Sequence, residues 1–140
     1  MKAKDYFESV KAAKMEYNNA LMIRLYGRPH QIIIGRSSDI SDPTVRQYEE
    51  LAEADAIIEY CYPLISEAEL VIQGLRVVMT TTSKIADVLH MRYLDLLPPH
   101  DIKKALAITS RREAYLCNLG FKLFDNLGKA FLVTKGKTSM

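Results

Sequence analysis

The residues best suited to chemistry in this chain are Ser110, Arg111 and Arg112 in a row, then Tyr115 and Lys122, with Lys103 and Lys104 just upstream. An arginine guanidinium is a planar fork of donors that can grip a guanine edge or a phosphate, and lysine serves phosphate as a point charge. Serine and tyrosine hydroxyls add donors for backbone or bases. No GxGxxG, Walker loop or nucleophile elbow accompanies them. The set points to holding a polyanion, not to making or breaking bonds.

The other candidates are weaker. His30, His90 and His100 have no metal-like spacing with one another or with a cysteine, so neither a metal nor a cofactor is expected. His100, beside Asp101 and after Pro98-Pro99, reads as a helix cap. Cys61 and Cys117 stand 56 positions apart in apolar surroundings and read as buried free thiols. Met15, Tyr17, Met22 and Tyr26 suit a core or an interface better than a cofactor box. The chain is therefore expected to be non-enzymatic.

Helices must position the donors. Ser110 with Glu113 three residues later has capping-box spacing, which predicts a helix from Ser110 to Leu127 that stops at Gly128. Before it, Pro98-Pro99 open a short helix with Ile102, Ala105 and Leu106 on its buried face, and Ala107-Ile108-Thr109 form the turn. Further upstream, Thr82 or Ser83 can cap a helix from Lys84 to about Leu94. A short helix, a turn and a capped helix make the order in which a helix-turn-helix places its second helix in the DNA major groove.

The first half reads as two long helices. Tyr6, Val10, Ala13, Tyr17, Leu21 and Leu25 recur three or four apart from Asp5 to about Leu25. RPHQIIIGRSSDISDP follows as a loop, with Ile32 to Ile34 pinned to the helices or in one short strand. Ser41 or Asp42 caps the next helix and Pro43 opens it. From Leu51 through Ala54, Ile58, Cys61, Ile65, Ala68, Ile72 and Leu75 to Met79, apolar residues keep a heptad seam. Pro63 interrupts the backbone pattern but not the apolar phase, which favours a kinked continuous helix over two helices with a true turn. A helix over 43–79 is about 55 Å long, so the first helix is expected to fold back antiparallel to it. The tail KAFLVTKGKTSM is basic and expected to fray at its end.

Composition bounds these readings. With 140 residues, 49% of them hydrophobic, the chain can bury a core. No apolar run spans a membrane and no signal-peptide core is present, so a cytoplasmic protein without membrane contact is expected. The net charge of +2 is unevenly spread: +3 over residues 1–46, −6 over 47–80 and +5 over 81–140. The last third is thus the face for DNA, and the middle would repel it.

The stretch VLHMRYLDLLPPHDIKKALAITSRREAYLCNLGFKLF resembles region four of bacterial sigma factors. Arg92-Tyr93, Ile102, Leu106, Ile108 and Thr109 stand at that family's Arg-Tyr, short-helix and turn positions. The whole chain resembles small prophage-encoded sigma-like regulators of Firmicutes, the group that includes ArpU-type late-gene regulators. The resemblance implies promoter binding in transcription control and contact with RNA polymerase. Leu96 and Ala107 stand where that family has glycine, and Glu113 falls on its apolar position if Thr109 is the turn serine. Taking Ser110 as that serine puts Ala114 there instead, but moves Gly120 and Phe121 out of register.

The expected fold is all-α: an antiparallel helical hairpin or arm over residues 1–80, followed by a sigma region-four-like helix-turn-helix with a basic tail over 81–140. Ser110, Arg111, Arg112 and Tyr115 are expected at the groove, and Lys103, Lys104 and Lys122 near phosphates of double-stranded DNA. The arm's heptad seam offers a homodimer contact. The competing expectation is an adapter or inhibitor that grips a protein such as RNA polymerase. Arg111 and Arg112 turned outward favour DNA, whereas an inward Glu113 counts against it.

Overall fold

Burial of the apolar stripes decides how the helices meet. The computed structural model describes residues 2–27, 43–79 and 84–138. They form α1 (Ala3–Tyr26), α2 (Pro43–Val78), α3 (Lys84–Tyr93), α4 (Pro99–Leu106), α5 (Ser110–Leu127) and α6 (Lys129–Thr138), with no strand among the described residues. The protein is all-α. The expected loop with Ile32 to Ile34 and the caps assigned to Ser41, Asp42, Thr82 and Ser83 lie outside the described residues.

α1 ends where Gly27 takes a positive φ of 76° and donates its N–H to the Ile23 carbonyl at 2.8 Å. α2 passes through Pro63 without interruption, and its 36 residues span about 54 Å. Pro63 is exposed, so its ring faces solvent and not the core. α1 runs antiparallel to α2, because its contacts climb while those of α2 descend. Tyr6 donates to Glu67 at 2.8 Å, Cys61 lies 3.9 Å from Glu16, and Arg24 pairs with Asp55 at 2.9 Å.

The heptad seam is used inside the chain. Ala54, Cys61, Ile65, Ala68, Ile72 and Leu75 are all buried within the monomer, so this seam is not the dimer contact expected of it. A single buried cluster joins α1 and α2 to α3, α5 and α6, and Leu106 of α4 packs against it. Phe7, fully buried, is its hub. Its ring lies 5.3 Å from Tyr93 and 5.7 Å from both Phe121 and Phe124, which ties α1 to the end of α3 and the second half of α5.

The tail adds an element that no helix signal had marked: residues 129–138 form α6, whose Leu132 is fully buried against the main cluster, while the chain end expected to fray lies outside the described residues. α6 crosses α2 with almost no space between backbones. A methyl group on Gly74 would collide with the Leu132 carbonyl, and one on Gly136 with the Leu70 carbonyl. The contact is reciprocal, between Leu70-Val71-x-x-Gly74 and Leu132-Val133-x-x-Gly136. Small residues at a crossing let main chains touch and exchange weak Cα–H···O contacts.

Candidate nucleic-acid interface

The donors occupy the start and outer face of α5, and two left-handed residues place that helix. Ala107, φ 54° and ψ 49°, stops α4, and its N–H donates to the Lys103 carbonyl. Leu96, φ 57°, turns the chain between α3 and α4. Each costs a residue with a Cβ about 1 kcal/mol or more.

The turn also settles which hydroxyl caps α5. Thr109 is extended, and its Oγ1 accepts from the Arg112 N–H at 3.1 Å, so Thr109 is the cap and Ser110 the first helical residue. The capping box expected of Ser110 with Glu113 is therefore not formed. Ser110 Oγ instead accepts from Lys103 Nζ at 2.9 Å, which straps α4 to the start of α5. His100 likewise caps nothing: Pro98 holds that position, without a side-chain bond.

With Thr109 as cap, Glu113 turns inward. It is 5% exposed and the one buried charged residue among those described. Arg92 answers it from the end of α3, with Nη1 at 3.7 Å from Oε1. The same guanidinium lies 4.0 Å from the buried Cys117 thiol, which also meets the Tyr93 hydroxyl at 4.0 Å. Burial, the largest cause, raises the Cys117 thiol above its ordinary range, so it stays protonated and inert. Arg92 thus offsets the charge of the carboxylate on the inward face of α5.

The inward face of α5, with Leu116, Cys117, Gly120 and Phe124, is fixed. Gly120 lets α3 approach closely, since an added methyl would lie 2.8 Å from Leu89 Cδ1 and 3.1 Å from Ile85 Cγ2. The outward face follows by helical spacing. Arg111, Tyr115, Asn118 and Lys122, at steps of four, three and four, are all exposed, with Arg112 beside them. The Arg112 guanidinium lies 5.1 Å from the Tyr115 ring centre, so it is aimed along the helix and not back at the core.

The expected site residues therefore split into two groups. Ser110, Arg111, Arg112, Tyr115 and Lys103 gather at the turn. Lys104 is exposed on α4, and Lys122 lies about 18 Å along the axis from Ser110, suited to a different phosphate. Two residues were missed by sequence reasoning. Asn118 completes the stripe, signalled by its spacing from Tyr115 and Lys122, and an asparagine can bind adenine bidentately. Lys84 is the second, because its Nζ donates to the last α4 residue, Leu106, at 3.4 Å.

No family model, curated protein or solved structure matches this chain. No helix among the described residues is long and apolar enough to cross a membrane.

Proposed function

We propose that this chain is a DNA-binding regulator of transcription of the phage-derived, sigma-like kind its sequence resembles. In this reading α4 and α5 are a helix-turn-helix that reads promoter DNA in the cytoplasm, carried by the α1–α2 hairpin. The carrying observation is the outward face of α5: Arg111, Arg112, Tyr115, Asn118 and Lys122 are exposed together beyond a capped turn. A recognition helix needs such donors in its first turns, and the strapped Lys103 and the free-standing face of Lys104 supply nearby phosphate contacts. The αL geometry at Leu96 and Ala107 supports the family reading, since the backbone keeps the glycine conformations although the glycines are gone. The inward Glu113 counts against the reading by the criterion set from the sequence, and what favours it is that Arg92 offsets that charge while Arg111 and Arg112 remain exposed.

Selection from a random duplex library tests this directly. An enriched motif supports DNA reading, and one that disappears with Asn118→Ala or Arg111→Ala assigns the bases to α5. A second reading, an adapter on RNA polymerase, is favoured by the acidic, tyrosine-bearing first half of α2, a surface that DNA would repel. Enrichment of no sequence, with polymerase retained by the immobilised protein, would select it.

A further inference from the structure

We infer that the distal half of the α1–α2 pair is a dimerisation surface and that its occupant is the same surface of a second copy of this chain. Half of the large apolar side chains exposed among the described residues collect there: Met15, Met22 and Tyr26 on α1, and Ile57 and Tyr60 on α2, at 36–84% exposure. Apolar side chains left exposed along two paired helices suit a contact surface. Met15, Met22 and Tyr26, seven and four apart, form one stripe along α1.

The inside of this half is thin. Its covered residues are Ala20 and Ala54, each 1% exposed, and Cys61 at 2%, of which only Cys61 belongs to the main core cluster. Two helices sealed by such small side chains bury little apolar surface between them, and a second pair laid alongside makes the four-helix arrangement that buries the remainder.

Charge selects the occupant and its orientation. Residues 11–26 carry Lys11, Lys14 and Arg24 against Glu16, a net of +2. Residues 46–62 carry Arg46 against Glu49, Glu50, Glu53, Asp55 and Glu59, a net of −4. Two copies of α2 face to face would repel. A twofold axis that sets α1 of one copy against α2 of the other brings opposite charges together on both sides at once. The inference does not rest on DNA reading, and it differs from the heptad-seam contact, which the monomer already buries.

Light scattering on the full chain without DNA tests it. The expected mass is twice 15.9 kDa at low salt. Met22→Glu places an acid against the partner's acidic α2 and should raise the dimer dissociation constant about tenfold or more, with Met22→Lys far milder. Tyr60→Lys and Tyr60→Glu on the other helix should show the mirror order. Met22 and Tyr60 are 55% and 84% exposed, so helix content by circular dichroism should not change. A wild-type mass of one chain at every concentration overturns the inference, as does a dimer that ignores the sign of the introduced charge at both positions.

Discussion

Replacing Arg92 by alanine leaves Glu113 in its slot without its cation. Glu113 is 6% exposed at the side chain, whereas Arg92 is 39% exposed, so half of this pair lives in solvent. Breaking a fully buried pair from one side costs about 3–5 kcal/mol, and partial screening brings that to about 2 kcal/mol here. For a chain of this size that is a fall in melting temperature of about 6 °C. Glu113→Leu behaves differently. The 3.7 Å separation exceeds the 2.7–2.9 Å of a strong charge-assisted contact, so the pair recovers only part of its desolvation cost. Leucine fills the same slot and Arg92 can turn to water, so the variant should be neutral or more stable by about 1 kcal/mol. Urea denaturation followed by circular dichroism separates the two. A loss in Glu113→Leu larger than in Arg92→Ala would refute this reasoning, because the carboxylate would then be a net stabiliser.

Three further outcomes follow from the backbone and the buried tyrosines. Ala107→Gly relieves a left-handed residue and should change stability by between zero and about +1 kcal/mol, whereas Ala105→Gly within the same helix should cost about 1 kcal/mol; paired thermal melts compare them. Gly136→Ala should destabilise by about 1–3 kcal/mol despite alanine's better helix propensity, because its methyl meets the Leu70 carbonyl, and a melting temperature at or above wild type would contradict the tight crossing. The hydroxyls of Tyr6 and Tyr93 are both raised well above their ordinary value, first by burial, then for Tyr6 by its bond to Glu67 and for Tyr93 by the Cys117 thiol. A raised folded value gives stability that is present below the ordinary tyrosine pKa of about 10 and lost as pH climbs above it, so urea midpoints should fall in that window, and less steeply in Tyr6→Phe/Tyr93→Phe.

Much of the scaffold was legible because local signals agreed. Prolines at 43 and 99, glycines at 27 and 128 and the unbroken apolar phase through Pro63 gave four helices nearly residue by residue. Three features were not legible, for physical reasons. Thr109 and Ser110 are adjacent hydroxyls with equal claims to a cap, and only the left-handed turn at Ala107 decides between them. The inward position of Glu113 follows from that choice, while its neutralising partner sits 21 residues upstream on another helix. The helix in the tail went unread because its lysines mask a short apolar face. The one signal for α6 was the shared Leu-Val-x-x-Gly at 70–74 and 132–136, which makes sense only once the two stretches are seen to cross. For the site, residue types and spacing gave the donors, and Asn118 was lost because it is uncharged.

The central claim is that the outward face of α5 holds DNA, and the salt dependence of duplex affinity tests it most directly. Lys103, Lys104, Arg111, Arg112 and Lys122 allow three to five phosphate contacts, which corresponds to a log–log slope of about −3 to −4.5. Arg111→Ala/Arg112→Ala should lower affinity at every salt concentration and make the slope shallower by up to about 2, with helix content unchanged. An affinity indifferent both to salt and to that double change would contradict the account.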